Sequence, residues 1–210
     1  MTYKDHLRDE MNRLSQDPHV VFLGQQVATQ DFYGTLCDIP IVRRGCRVRI
    51  EMPVAEELQM GISIGLAING FTPVSIYQRI DFLPRAMDQI VNHLDIIREM
   101  SNCQYVPKVI IRTTIGSKEP LNTGLQHSKD MIKGFQAMVS FPIFDLKTPN
   151  DIIEGYNFAK ATTGPVMLVE RQDLYNKTWD EAEYFKKLRL ERIKNEGTDN
   201  MSNTRQSRAI

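Results

Sequence analysis

Two adjacent carboxylates, Glu56 and Glu57, are the strongest candidates in this sequence for acid–base chemistry. They stand at the start of a predicted helix whose body, residues 60–68, is apolar and small, so at least one carboxylate should face a sheltered environment. Desolvation favours the neutral form of a sheltered carboxyl group, whereas the helix dipole favours the ionised form. Glu57 also fits an ordinary acid of a first helical turn. The residues alone leave a functional and a structural interpretation of Glu56 open.

The other residue types that perform catalysis form no recognisable motif. His6, His19, His93 and His127 are scattered along the chain, and a lone histidine is more often a surface or core residue than a catalyst. The sequence has no glycine-rich phosphate loop of the Walker or dinucleotide type, no Gly-x-Ser-x-Gly and no His-Glu-x-x-His. Motifs read in isolation therefore do not define a reaction.

Composition excludes several classes of protein. The 210 residues suit one α/β domain, and the 41% apolar share is that of a globular protein. Lys plus Arg and Asp plus Glu number 26 each, which argues against a nucleic-acid binder and a polybasic membrane-surface protein. Cys37, Cys46 and Cys103 are odd in number and lack metal-ligand spacing, so neither a disulfide scaffold nor a zinc module is expected.

Hydropathy predicts no membrane segment. The longest apolar stretches, such as residues 61–68, fall far short of the roughly 20 residues that a spanning helix needs. The first residues also lack the apolar core of a secretory signal. We therefore expect no membrane partner and a cytoplasmic location.

Helical and extended patterns alternate along the chain. Helices are predicted over 2–15, 53–70, 82–100, 128–135 and 150–161. Strands are predicted over 19–24, 47–51, 72–77, 106–112, 141–144 and 165–170, with loops over 28–46 and 113–128. This alternation favours an α/β fold with a mostly parallel sheet and helices on both faces.

The composition changes after residue 175. We expect one α/β domain over 1–175, a charged helix over 176–195 and a disordered polar tail over 196–210. Thr178 and Glu181 have the spacing of a capping box at the start of that helix. Its thin apolar stripe would dock on the domain or on a partner, or simply belong to a solvated terminal helix.

Several short motifs occur together in a fixed order. The run Glu51-Met-Pro-Val-Ala-Glu56 is followed by Gly61-Ile-Ser-Ile-Gly-Leu-Ala-Ile-Asn-Gly70, Asp81-Phe82, Asp88-Gln-Ile-Val-Asn92, Gln126-His127-Ser128 and Thr148-Pro149-Asn-Asp151. This set resembles the pyrimidine-binding domain of the transketolase-like thiamine-diphosphate enzymes. Within that family it is similar to the beta subunit of the decarboxylating component of 2-oxo acid dehydrogenases, of the pyruvate or branched-chain type. The resemblance covers about residues 1–175.

The resemblance implies a role for four residues. Glu56 matches the glutamate that hydrogen-bonds the aminopyrimidine ring of thiamine diphosphate and so makes its amino group basic. Phe82 matches the aromatic residue that packs against the pyrimidine, and Val54 lies on the segment that leads to the glutamate. His127 matches the histidine on the substrate side, where it would orient substrate or relay protons.

The resemblance also implies a partner chain. The Gly-Asp-Gly motif that holds Mg²⁺ and the cofactor diphosphate does not occur in this sequence, and in the family it lies on the alpha partner. We therefore expect no metal ligands here and half of a site, in a dimer or heterotetramer with an alpha-type chain. The family's beta subunits have a second, C-terminal domain, and from the sequence after residue 175 we expect this chain to lack it.

The implied activity is that of a two-chain 2-oxo acid decarboxylase or dehydrogenase. Half of a split transketolase or of a carboligase is an alternative enzyme, with the same role for Glu56 but another substrate. A degenerate module that only binds a partner is the non-enzyme alternative. The joint presence of Glu56, Phe82 and His127 argues against the last.

Overall fold

The centre of the molecule is a sheet of parallel strands. The strands of the computed structural model are β1 (Val20–Gly24), β2 (Val42–Arg43), β3 (Cys46–Arg47), β4 (Arg49–Glu51), β5 (Thr72–Tyr77), β6 (Ile110–Ile115), β7 (Ile143–Leu146) and β8 (Val166–Arg171). Six of them form the sheet in the order β4-β1-β5-β6-β8-β7, with every neighbouring pair parallel, while β2 and β3 form a small antiparallel ribbon. The structure describes residues 1–118, 122 and 124–179.

Helices connect the strands. The helices are α1 (Tyr3–Leu14), the short turn α2 (Asp31–Gly34), α3 (Glu56–Ile68), α4 (Ile97–Met100), α5 (Ile132–Gln136) and α6 (Pro149–Ala161). The side chains of Thr2 and Thr148 cap α1 and α6 in capping boxes, as the Thr-x-x-Asp spacing requires. Residues Thr2–Lys177 form one compact unit, which excludes Met1 and Thr178–Ile210.

Both faces of the sheet are covered. Ile111 and Val169 are buried in an apolar cluster with Met60 of α3. The neighbouring residues Arg112 and Glu170 point to the opposite face, where Glu170 contacts Tyr156 of α6. The predicted α/β fold, a mostly parallel sheet with helices on both faces, is therefore confirmed.

Several predicted elements differ from the structure; the loop expected over 28–46, for example, contains α2 and β2. The single helix expected over 82–100 is a 3₁₀ helix at Ile80–Ala86, a π turn at Gln89–Leu94 and the short α4. Pro84 lacks the N–H that a regular helix would use, and it lies inside the 3₁₀ segment. The strand expected over 106–112 runs instead over Ile110–Ile115, because β8 continues to pair with it as far as Arg171.

The predicted helix over 176–195 and tail over 196–210 lie outside the described residues, apart from 176–179, and they stay predictions. No helix in the described part of the chain is long and apolar enough to cross a membrane.

A buried ion pair connects two central strands. Arg112 of β6 and Glu170 of β8 are both fully buried, and the Arg112 guanidinium donates to both carboxylate oxygens. Tyr175 donates from its hydroxyl to Glu170 Oε2 at 2.6 Å, and the ring of Phe32 lies 4.9 Å from the guanidinium carbon. Burial opposes the charge of Arg112, but Glu170 outweighs that effect and the pKa of Arg112 lies above its usual value. Arg112 therefore keeps its charge inside the fold.

We expect Arg112→Met to lower the free energy of unfolding by about 3–5 kcal/mol, because the substitution leaves the Glu170 carboxylate buried without its cation. Urea unfolding of the full chain measures this change. Exposed Arg98 is the matched control, and Arg98→Met should change stability little. A small loss for Arg112→Met would mean that the tyrosine hydroxyls alone satisfy Glu170.

Candidate functional site

Three of the residues singled out in the sequence follow different strands of the parallel sheet. Glu56 follows β4, Phe82 follows β5 and His127 follows β6. Parallel strands end at the same edge of a sheet, and ligands of open α/β folds bind outside that carboxyl edge. The topology therefore brings these segments, which lie far apart in sequence, to the edge where a ligand site is expected.

Glu56 is the first residue of α3 and is only 6% exposed. One of its carboxylate oxygens, Oε2, is buried and has no hydrogen-bond partner among the described residues. Arg85 Nε lies 3.4 Å from that oxygen, but without the geometry of a hydrogen bond, and the Arg85 side chain is 75% exposed. Solvent therefore screens this ion pair strongly. The carboxyl group is left with one free acceptor or donor position.

Buried hydrogen bonds fix the helix that carries Glu56. Gln59 donates from its amide nitrogen to Ser75 Oγ at 3.1 Å and to the Ile76 carbonyl at 3.0 Å, both on β5. Tyr77 donates from its hydroxyl to the Glu56 carbonyl at 3.4 Å. Burial raises the pKa of Tyr77, the Ser75 hydroxyl opposes the rise and the Glu56 charge adds to it. The Tyr77 hydroxyl therefore stays protonated and holds the start of α3 on the sheet.

An open cleft of about 610 Å³ lies beside Glu56. Its lining includes Val54, Leu58 and Ile62, as well as Arg85. Val54 is 76% and Leu58 is 54% exposed, so the apolar side of the cleft is not covered by this unit. Val54 thus lines the cleft beside Glu56, with most of its side chain exposed, and its role in cofactor binding stays a prediction.

Phe82 lies between the other two predicted residues. It shares the lining of a small space with Glu56, and its ring centroid is 5.4 Å from that of His127 in an edge-on arrangement. Both rings are half-buried. His127 Nδ1 is buried and, within the described ranges, has no hydrogen-bond partner. Phe82 thus lies close to Glu56 on one side and packs against His127 on the other.

Close backbone packing positions the segment that carries His127. A Cβ atom added to Gly116, which follows β6, would lie 1.8 Å from the His127 carbonyl oxygen and 2.9 Å from Arg79 Nε. No side chain fits there without moving the backbone. Gly116 therefore allows the His127 segment to lie directly on the end of β6.

Sequence analysis missed Arg79, which lies directly before the 3₁₀ helix that contains Phe82. Arg79 is 8% exposed and donates from Nη1 to the Tyr33 hydroxyl at 2.5 Å, to the Gln78 carbonyl at 2.7 Å and to Thr114 Oγ1 at 3.1 Å. Its position after β5 was visible in the sequence, but its burial was not. Arg85 was also missed, because nothing in the sequence shows that it faces Glu56.

Tyr33 reaches Arg79 from an unusual backbone turn. Asp31, Phe32 and Tyr33 have φ values of 53°, 36° and 57°, which non-glycine residues rarely adopt. Such conformations cost on the order of 1–3 kcal/mol each and persist where the surroundings impose them. Here the buried Arg49 donates to Asp31 Oδ1 at 2.6 Å and holds the turn in place.

The residues fit one end of the cofactor that the resemblance implies. The free Oε2 of Glu56 and the half-buried ring of Phe82 suit a planar heterocycle that carries a ring nitrogen. For the metal end there is no comparable arrangement. In the described part of the chain, no three His, Cys, Asp or Glu side chains come together as a metal site.

A parallel α/β sheet with a free carboxyl group at its carboxyl edge is an arrangement typical of ligand-binding α/β domains. Comparison with known families identifies which one: "Transketolase, pyrimidine binding domain" matches residues 1–178. The chain belongs to this family, and the resemblance inferred from the sequence motifs is confirmed.

Relatives with curated names are beta subunits of pyruvate dehydrogenase. The chain is 27% identical over 206 residues to the pyruvate dehydrogenase E1 component subunit beta of Staurastrum punctulatum, covering 93% of this chain and 59% of the relative. It is 28% identical to the Gracilaria tenuistipitata var. liui protein of that name, with 93% and 61% covered. The chloroplastic subunit beta-3 of Arabidopsis thaliana is also 28% identical, with 82% and 41% covered. The chain thus spans roughly half the length of these relatives.

A solved structure has the same fold. The "split gene transketolase, inactive beta4 tetramer" matches with a TM-score of 0.61 and 17% identity, over 86% of this chain and 53% of that one. At this identity the match shows the fold alone.

We expect Gly116→Ala to lower the free energy of unfolding by about 1–3 kcal/mol, because the new methyl group would overlap the His127 carbonyl. The His127 ring signals in an NMR spectrum should shift as its segment moves off β6. Gly134 of α5 has open space at its Cβ position, so Gly134→Ala is the control and should raise stability slightly. Equal effects of the two substitutions would contradict the close packing of Gly116 on the His127 segment.

Proposed function

We propose that this chain is the pyrimidine-binding half of a two-chain, thiamine-diphosphate-dependent 2-oxo acid decarboxylase or dehydrogenase. The observation that carries the proposal is the buried Glu56 carboxyl group, whose free oxygen lies beside an open cleft at the carboxyl edge of the sheet. Membership of the family supports the cofactor. The names of the relatives, beta subunits of pyruvate dehydrogenase, support a 2-oxo acid as substrate.

Glu56 would hold a proton on the pyrimidine ring nitrogen. Its position at the first turn of α3 keeps the carboxyl group fixed, and its burial excludes the water that would compete for the hydrogen bond. Phe82 would pack on the pyrimidine, and Val54 would contribute an apolar wall of the cleft. When bound, thiamine diphosphate supplies the nucleophilic carbon and the electron sink for decarboxylation.

His127 would act on the substrate side of Phe82. Its unpartnered Nδ1 is available to accept or donate a proton, and its ring is already oriented by the edge of Phe82. The two residues would therefore have different roles. Glu56 would bind the cofactor, and His127 would orient the substrate or relay its protons.

A partner chain would complete the site. The cleft beside Glu56 is open on its apolar side at Val54 and Leu58, which suits a surface that another chain covers. The residues for Mg²⁺ and the diphosphate would come mainly from an alpha-type chain, in a dimer or heterotetramer. A cytoplasmic location stays a prediction.

Half of a split transketolase is the second candidate. The fold match to a split-gene transketolase chain favours it, and the role of Glu56 would be the same. That chain is described as inactive in its beta4 form, which also keeps a non-catalytic partner-binding role open. Turnover of a 2-oxo acid, compared with that of a ketose phosphate, separates the two enzymes.

We expect Glu56→Gln to slow deuterium exchange at the thiazolium carbon of bound thiamine diphosphate by about 10²–10⁴-fold, the usual contribution of a positioned acid–base group. The exchange is measured by NMR on the chain reconstituted with its partner. Glu57→Gln is the control, since Glu57 is exposed and one residue further along α3. Exchange as fast as in the wild type would remove Glu56 from the mechanism.

We expect this chain alone to bind thiamine diphosphate poorly even with Mg²⁺, because its own residues serve only the pyrimidine end. Titration calorimetry on the purified chain, with and without the alpha-type partner, measures the difference. Addition of the partner should strengthen binding by at least an order of magnitude. Micromolar affinity of the isolated chain as a monomer would contradict the division of the site between two chains.

A further inference from the structure

Arg79 is a buried cation without a counterion. No carboxylate in the described part of the chain lies within ion-pair distance of it, and its hydrogen-bond acceptors are all neutral. A buried charge is costly unless an opposite charge compensates it. The contrast with Arg112, which is paired with Glu170 one strand away, shows that this fold can supply a carboxylate where the charge is structural.

One edge of the Arg79 guanidinium is already occupied, and the other is free. All three of its hydrogen bonds leave from Nη1. Nε is buried without a partner. The hydrogen bonds of Arg79 to the described residues do not involve Nη2. Nε and Nη2 form the side of a guanidinium that binds a carboxylate through two parallel hydrogen bonds. The free edge thus has the form of an anion site.

A tyrosine side chain and nearby backbone hold the guanidinium in place. The turn held by Arg49 sets Tyr33 under Nη1, and the guanidinium carbon lies 5.5 Å from the Tyr33 ring. On the free side stands Gly116, at which even a methyl group would come within 2.9 Å of Nε. The His127 carbonyl is next to the same position, so the Nε side of the guanidinium lies against the segment proposed for the substrate side.

We propose that Arg79 binds the carboxylate of a small 2-oxo acid through Nε and Nη2, beside His127. The choice of a 2-oxo acid rests on the proposed function, whereas the anion site rests on the unpaired guanidinium itself. Arg79 would hold the acid by its carboxylate end, which leaves the keto carbon to be directed by His127 toward the cofactor side of Phe82.

Binding at Arg79 can be measured directly on the full chain, without thiamine diphosphate. In a ¹⁵N-labelled sample, the Nε–Hε signal of Arg79 is followed by NMR during titration with sodium pyruvate, sodium chloride or inorganic phosphate. We expect a saturable shift with pyruvate and none with chloride. The wild-type signal requires no variant, so the result does not depend on how a substitution folds.

Variants measure the contribution of the free edge. Arg79→Lys keeps the charge but loses the two-point contact, so pyruvate affinity should fall about 10-fold or more. Arg98→Lys changes an exposed arginine and should leave the affinity unchanged. No saturable shift of the Arg79 signal, an unchanged affinity in Arg79→Lys, or tighter binding of phosphate than of pyruvate would each overturn the proposal.

The two proposals fail separately. Pyruvate binding at Arg79 together with normal cofactor exchange in Glu56→Gln would keep the anion site and remove the proposed function. Loss of exchange in Glu56→Gln without pyruvate binding at Arg79 would remove only the anion site.

Discussion

Parallel pairing of the central strands is the constraint on which the candidate site depends. Because β4, β1, β5 and β6 run in the same direction, the segments that follow β4, β5 and β6 leave the sheet at one edge. Glu56, Phe82 and His127 then need only short local supports to meet. Gln59 provides one by bonding α3 to β5, and Gly116 provides another by admitting the His127 segment against β6. A change of strand order would separate the three residues even if every local motif were kept.

Two buried arginines, Arg112 on β6 and Arg79 just after β5, differ in how their charge is compensated. Arg112 is paired with Glu170, whose other contacts are tyrosine hydroxyls, and only its Nη1 is left without a hydrogen-bond partner among the described residues. Arg79 is held by neutral acceptors alone, and one edge of its guanidinium stays unused. Desolvation makes such an uncompensated charge expensive, and an anionic ligand recovers part of that cost.

The sequence predicted those features that depend on local pattern. The alternation of helices and strands was sufficient to predict the parallel sheet. The order of the motifs was sufficient to predict the family and the segments that lie at the carboxyl edge of the sheet. Tertiary context decided the rest. The helix expected from residue 82 is broken because Pro84 and the following π turn interrupt it, and β6 runs on to Ile115 because β8 pairs with it. Arg79 could not be predicted as a site residue, because the sequence alone does not show whether an arginine is buried. Its burial depends on the packing of the folded chain.

The strength of the electrostatic interactions beside the open cleft depends on what covers the cleft. Arg85 is well exposed beside Glu56, so water now weakens their attraction. A partner surface placed over Val54 and Leu58 would lower the local dielectric and strengthen any ion pair that stayed inside. An Arg85 side chain kept beside Glu56 Oε2 in that environment would compete with any ligand for this oxygen. For a ligand to reach Glu56 Oε2 in a covered cleft, the Arg85 side chain would have to move away, and its 75% exposure provides the room.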